Sequence, residues 1–298
     1  MNGKVVCIGE ILWDALPKGI FLGGAPMNVA VNLNNLGVKS SIISAVGDDQ
    51  LGNLALNHLT RLGADISLVQ HNSYPTGLVE VKVNDRGIPA YEFQKDSAWD
   101  HILAPDEAVQ AVKDVDYIVV GSLAWREKQS ADSIRSLITD HKGSAKVIVD
   151  VNFRKSFYTK DLILDLLTLG DIAKLNDDEL EEIEHWMGWE HHYETSIKRL
   201  AKEFDLEAIL YTMGEDGSAL YKDGEFTVKG RFSVDVQDTV GAGDAFLSGA
   251  IFSLLNEYSS EETLTFANAM GAFVAGKDGA TPALTFDEIS AFIAVKQA

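Results

Sequence analysis

The 298 residues carry 25 Lys and Arg against 45 Asp and Glu, a formal charge of −20, with 46% apolar residues, 25 glycines and one cysteine. A single thiol excludes an intramolecular disulfide framework, and no Cys/His cluster has zinc spacing. The acidic balance speaks against nucleic acid or an anionic membrane as partner, because those surfaces are bound by clustered Lys and Arg.

The length corresponds to one or two domains of roughly 150 residues. No repeat, low-complexity tract or Pro/Ser linker divides it, so the expectation is one α/β domain over 1–298. The apolar stretch 5–16 contains Glu10 and Asp14 and lacks a basic flank and a cleavage site, which makes the cytoplasm the expected location.

In chain order, residues 5–8 form a short apolar run expected of a strand covered on both faces. An extended excursion over 12–22 and a helical pattern at 26–36 follow. A strand at 41–46 and a helix at 51–62 come next. The runs 77–83 and 90–94, on either side of Asn84-Asp85-Arg86-Gly87, read as a β-hairpin. Beyond it lie a helix at 106–113, a strand at 117–120, a helix at 131–139, strands at 146–151 and 172–175, helices at 177–185 and 195–204, and a strand at 208–212. A hairpin of 219–221 and 226–228 around Asp223-Gly224 precedes helices at 245–255, 260–276 and 287–295. This alternation predicts a mostly parallel sheet layered between helices. The excursion and the first hairpin, about 12–22 and 75–100, are candidates for a small β-sheet lid.

The chemistry concentrates in Asp238-Thr239-Val240-Gly241-Ala242-Gly243-Asp244-Ala245-Phe246, which runs into a helical stretch. A two-glycine turn entering a helix presents unpaired N–H groups and the positive end of the helix dipole, an anion site. Asp244 stands inside that cradle. Asp is an ordinary residue at a helix start, but a cap needs no Gly-Ala-Gly before it. A base beside a phosphate cradle is what proton removal during phosphoryl transfer requires. Gly241-x-Gly243-x-x-Phe246 lacks the third glycine of a dinucleotide fingerprint, and no Gly-x-x-x-x-Gly-Lys-Ser/Thr occurs, which disfavours Rossmann and P-loop readings.

The stretch 238–246 resembles the C-terminal signature of the ribokinase-like, or PfkB, carbohydrate kinases. Gly23-Gly24-Ala25-Pro26-Met27-Asn28-Val29-Ala30 resembles their N-terminal Gly-Gly-x-x-x-Asn motif. The resemblance runs from about residue 5 to 280, and Gly9-Glu10-Ile11-Leu12-Trp13-Asp14 with Ala98-Trp99-Asp100 is most similar to fructokinases. It implies a ribokinase-like αβα fold with a small β-sheet lid. It also implies Asp244 as catalytic base, Gly241, Ala242 and Gly243 as anion hole, and Asp14, Gly23, Gly24 and Asn28 as sugar ligands. Phe93, Trp99 and Arg154 complete the implied substrate site. A polyol is indeed recognised by buried carboxylate and amide groups that each satisfy hydroxyls.

Asn176-Asp177-Asp178-Glu179 resembles the family's Asn-x-x-Glu element, implying Asn176 at the nucleotide and Glu179 at Mg²⁺ through water; the same residues also read as a helix cap with acids in the first turn. Thr212-Met213-Gly214-Glu215-Asp216-Gly217 resembles the nucleotide-binding Thr-x-Gly-x-x-Gly, implying Thr212, Gly214 and Gly217. Asn268, by itself a surface residue, matches one lying against adenine. In Asp150-Val151-Asn152-Phe153-Arg154, the guanidinium suits phosphate or a substrate oxygen, and an ion pair with Asp150 is equally open. Asp238, Val240 and Gly279, followed by Ala280, resemble the loop that holds a monovalent cation, K⁺, in some members.

Adjacent His191 and His192 are not expected to bind metal, because neighbouring imidazoles on a helix point in different directions, and Trp186 and Trp189 read as packing. The expected activity is transfer of phosphate from ATP, with Mg²⁺, to D-fructose. Alternatives are 2-keto-3-deoxygluconate, ribose or a nucleoside as acceptor, or a catalytically idle sugar sensor. An apolar hairpin face of Leu78, Val81 and Val83 is compatible with a homodimer through the lid. In so acidic a protein, ATP requires a local reversal of sign.

Overall fold

In this computed structural model, residues 3–16, 19–83, 89–154 and 157–297 are described. Thirteen strands are found among them: β1 (Lys4–Ile8), β2 (Leu12–Leu16), β3 (Gly19–Gly23), β4 (Lys39–Gly47), β5 (Val69–Asn72), β6 (Gly77–Val83), β7 (Pro89–Phe93), β8 (Tyr117–Gly121), β9 (Lys146–Asp150), β10 (Ile172–Asn176), β11 (Ala208–Thr212), β12 (Ser218–Lys222) and β13 (Glu225–Lys229). The helices are α1 (Ala25–Asn35), α2 (Gln50–Arg61), α3 (Asp106–Lys113), α4 (Lys128–Thr139), α5 (Lys160–Leu169), α6 (Asp177–Met187), α7 (Tyr193–Glu203), α8 (Ala242–Leu255), α9 (Ser260–Ala275) and α10 (Phe286–Gln297).

Nine strands form one sheet in the order β13-β12-β11-β10-β9-β8-β1-β4-β5. Its pairs are parallel from β11 to β5, while β12 and β13 add antiparallel at one edge. Alternate strand residues part to opposite faces. Val6, Ile8, Val147, Val149, Ala173 and Leu175 meet α3–α7 in one core. Val5, Cys7, Ile148, Ile172 and Leu210 meet α1, α2 and α8–α10 in the other. The result is the layered α/β architecture expected from the alternation of elements.

Four strands stand apart in the order β3-β2-β6-β7, two hairpins joined by a parallel β2–β6 pair. This is the small sheet anticipated at 12–22 and 75–100; the Asn84-Asp85-Arg86-Gly87 turn lies outside the described residues. Its junctions with the body are pinned. Asp49 accepts from the Thr76 N–H and hydroxyl at 2.8 and 2.7 Å, and Arg126 donates to both Asp100 oxygens and to the Gln94 carbonyl.

Three elements depart from the sequence reading. β5 and α5 were not read: Val-Gln-His-Asn carries no alternation, and the apolar run after Asp161 could equally be a buried strand. Helix α8 begins at Ala242 rather than 245, so the glycine turn is itself the first helical turn and Asp244 the third helical residue.

Candidate active site

The N-terminal motif is built around α1. Gly24 is its N-cap, and the N–H of Ala25 donates to Glu10 Oε1 at 3.0 Å, so the Glu10 carboxylate closes the helix start. Asn28, one turn in, is buried, and its Nδ2 donates to Asp244 Oδ2 at 2.8 Å. One hydrogen bond thus joins two motifs 216 residues apart. Asn28 Oδ1 and Glu10 Oε2 are buried without a hydrogen-bond partner. Uncompensated buried acceptors are costly, and these two fit hydroxyl donors of a polyol. Asp14, on β2, lies so close to Gly23 that a Cβ there would stand 2.7 Å from its Oδ2; only glycine leaves the carboxylate room.

At the other wall, Gly241 caps α8 with φ 77°, and a Cβ there would stand 2.5 Å from the Ala280 side chain. The turn is therefore seated against the Gly279-Ala280 loop. Ala242 donates its N–H to the Thr239 carbonyl at 3.2 Å. Of the expected anion hole Ala242 thus spends its N–H on Thr239, while the N–H groups of Gly243 and Asp244 precede the first bond of the helix, from Ala245 to the Gly241 carbonyl. Asp238 Oδ1 accepts from the Val240 N–H at 3.0 Å, and the Val240 side chain is exposed.

Burial holds the Asp244 carboxyl above the ordinary aspartate range, and Asp150 adds to this, while the Asn28 hydrogen bond, Lys174 and Arg154 oppose it. Burial likewise pushes Glu10 up to about 7 and raises Asp14, with Arg154 opposing both. Arg154 is exposed and near all three carboxylates. It follows Asn152, whose φ of 39° places a non-glycine residue in the left-handed region, a strain that gathers at functional sites.

The ion pair left open between Asp150 and Arg154 is not formed. Asp150 pairs with Lys174 of β10 at 2.9 Å, both side chains buried. Glu179 is a complete capping-box partner: Oε2 accepts from Asn176 N–H, Oε1 from Phe153 N–H, and Asn176 Oδ1 accepts from Glu179 N–H. Burial raises its pKa. Among the described residues no three His, Cys, Asp or Glu side chains are grouped to cage a metal. The partnerless, buried Asp150 Oδ2 and the second lone pairs of Glu179 fit a Mg²⁺ ion that keeps its waters and arrives on phosphates.

Thr212 ends β11, and Gly214 opens a single 3-10 turn that Gly217 closes against the end of β13. Asn268 is no surface residue. It is buried, accepting from the Ser218 hydroxyl at 2.9 Å and donating to the Gly230 carbonyl at 3.3 Å, and so holds that turn beside α9. Phe93 meets Phe157 edge-on at 5.2 Å, joining the small sheet to the body. Trp99 is a core residue instead of an open wall: it is 1% exposed, with the Arg126 guanidinium 3.9 Å above its ring. His191 and His192 precede α7 rather than lying on a helix; His191 bonds Glu184 at 2.6 Å and His192 caps α7. Trp186 packs near Phe153 and Tyr158, as expected.

The sequence reading missed Lys174 and the role of Glu10 as cap. The first sits in a run otherwise typical of a buried strand, and a charge there was the available signal.

Comparison with known proteins agrees with this fold. Residues 19–286 match the pfkB family carbohydrate kinases. The chain is 30% identical to a fructokinase of Escherichia coli over 303 residues, covering 95% of this chain and 97% of that one. It is 29% identical to an ATP-dependent 6-phosphofructokinase of Thermoanaerobacterium thermosaccharolyticum over 289 residues, covering 90% and 87%. Its fold superposes on a fructokinase from Xylella fastidiosa with bound ATP at a TM-score of 0.89, with 22% identity and full coverage of both chains. The layered sheet with its separate four-stranded sheet and the match over residues 19–286 agree, and the chain belongs to the pfkB family of carbohydrate kinases.

Proposed function

We propose that this protein transfers the terminal phosphoryl group of ATP to the primary hydroxyl of a neutral monosaccharide, D-fructose, giving fructose 6-phosphate. The observation that carries the reading is Asp244: a buried carboxylate in the first turn of α8, beside free helix N–H groups and hydrogen-bonded to Asn28 of the sugar-side motif. Asn28, Asp14, Gly24 and Arg154 orient the sugar so that its hydroxyl meets Asp244 as base, while the Gly243 and Asp244 N–H groups receive phosphoryl oxygens. Mg²⁺, when bound, offsets phosphate charge. The small sheet excludes water from the sugar, limiting hydrolysis of ATP. The Gly279-Ala280 loop, seated against Gly241, is the place for a K⁺ ion.

Three carboxylates against one guanidinium favour a neutral acceptor over fructose 6-phosphate or 2-keto-3-deoxygluconate, which bring further negative charge. A nucleoside is disfavoured because Trp99 is covered by Arg126 and Phe93 is engaged with Phe157. The outer strand β3, with Ile20 half exposed, supports pairing of two copies through their small sheets. Leu78 packs partly against the core, and the Val81 and Val83 side chains lie outside the described residues.

A panel of fructose, glucose, ribose, 2-keto-3-deoxygluconate, adenosine and fructose 6-phosphate, with Mg-ATP and coupled ADP detection in the presence and absence of K⁺, tests the reading. Fructose is expected to have the highest kcat/KM. A preference for a charged acceptor overturns the substrate, and sugar binding without turnover of any acceptor overturns the enzyme.

A further inference from the structure

A charged pair occupies the centre of the sheet where aliphatic residues would serve stability as well. Lys174 on β10 stands directly opposite Asp150 on β9 in the strand register, with Leu210 of β11 on its other side. Both side chains are buried, 7% and 4% exposed, and Nζ donates to Asp150 Oδ1 at 2.9 Å. Burying two ions in a sheet is expensive, and an apolar pair of similar volume is often as stable or more so. The pair therefore asks for another explanation. It sits near the carboxyl ends of parallel strands, where open α/β sheets bind ligands.

The position of Nζ supplies that explanation. A Cβ built on Gly243 would stand 3.4 Å from it, so the ammonium lies against the glycine turn whose N–H groups form the anion cradle. An ammonium has three N–H donors. Among the described residues, Nζ makes one hydrogen bond, to Asp150. Three buried carboxylates, Asp150, Glu179 and Asp244, feel its charge. Without a fixed cation here, a polyphosphate would enter a region of unrelieved negative charge.

We propose that Lys174 is a further catalytic residue, anchored on Asp150 beneath Gly243 and donating N–H bonds to oxygens of the transferring phosphoryl group. This rests on the kinase reading above. In the step it serves, the sugar hydroxyl gives its proton to the Asp244 carboxylate and its oxygen bonds to the γ-phosphorus. The bond from that phosphorus to the β–γ bridging oxygen breaks, and ADP leaves with the electron pair. Lys174 keeps its protons throughout and stabilises the charge in passage as a point cation.

The test compares the wild type with Lys174→Met and with Lys174→Met/Asp150→Asn, which removes both charges at nearly constant volume. Titration calorimetry with Mg-ADP and with Mg-AMP-PNP reads the contact to the third phosphate, independently of turnover. Lys174→Met is expected to weaken AMP-PNP about tenfold or more, as for loss of a charge-assisted hydrogen bond, while ADP changes less than about threefold. Its kcat is expected to fall about 10²- to 10³-fold with sugar KM little changed. The double variant is expected to stay as impaired as the single one.

Equal losses for ADP and AMP-PNP, or recovery of AMP-PNP affinity in the double variant, overturn the proposal and leave Lys174 a partner of Asp150 only. If Lys174→Met does not fold, Lys174→Gln, which leaves Asp150 in place, decides by the same nucleotide ratio. A wild type that phosphorylates no acceptor defeats the kinase reading, while the nucleotide ratio still decides the contact; a wild type that binds neither nucleotide defeats both.

Discussion

Asn28 donates from Nδ2 to Asp244 Oδ2 at 2.8 Å, tying the first turn of α8 to the second turn of α1. The bond fixes the rotamer of the proposed base and leaves Asp244 Oδ1 for a substrate hydroxyl. Asn28 keeps its own Oδ1, buried and without partner, for another.

Replacing Asp244 with Asn preserves shape and removes the base. Turnover is expected to fall by about two to four orders of magnitude with sugar binding retained, measured by coupled ADP release and calorimetry. Near-wild-type kcat would remove Asp244 from the mechanism.

In the proposed mechanism Asp244 acts as a carboxylate, and burial raises its pKa, so kcat/KM should rise with pH on an acidic limb above the ordinary aspartate range. The Asn28 hydrogen bond opposes that rise. Asn28→Ala is expected to move the limb to higher pH and to raise the sugar KM, and an unmoved limb in a pH–rate profile contradicts the coupling.

Glu10 is pushed from 4.5 to about 7 by burial. Between those values the folded state holds a proton that the unfolded chain has released, so its contribution to stability is present below 4.5 and lost as pH rises through about 7. Glu10→Gln is free of that loss. The stability of the variant relative to wild type is expected to increase from pH 5 to pH 8, by up to about 3 kcal/mol. Urea unfolding at the two pH values measures it, and a constant difference contradicts it.

Arg126 holds Asp100 through two hydrogen bonds of 2.6 and 2.7 Å, with side chains 5% and 0% exposed, and also carries the Gln94 carbonyl at the root of β7. Arg126→Met leaves Asp100 buried and unpaired, and should destabilise the protein by about 3–5 kcal/mol. Adding Asp100→Asn should recover part of this. A loss under ~1 kcal/mol in urea unfolding would show the junction to be plastic.

The formal charge of −20 bears on ATP and hardly on a neutral sugar. Glu10, Asp14, Asp150, Glu179 and Asp244 outweigh Arg154 and Lys174 around the site. The apparent KM for ATP is expected to fall as ionic strength rises modestly, with that for fructose unchanged. Initial rates across a salt series check this, and an equal dependence for both substrates contradicts it.

Much of this was legible in the chain. The alternation of β-branched runs with helical periods is local, so it announced the layered sheet, and the glycine turns declared themselves because few other residues fit them. Where local pattern is ambiguous the reading stopped: the apolar run of α5 and the polar β5 each fit more than one element. Trp99 marked the motif correctly yet lies in the core, because only packing reveals that Arg126 covers it.

The sequence by itself determined the fold class and the order of the motifs, and it singled out Asp244 as a candidate from its glycine turn and Asn28 from the shared motif. Only the tertiary structure decided which charges meet. The Lys174–Asp150 pair depends on the register of β9 against β10, and the Asn28–Asp244 contact depends on residues 216 positions apart coming together. Desolvation and pairing act through space, so the electrostatics of the site exist only once the chain has folded.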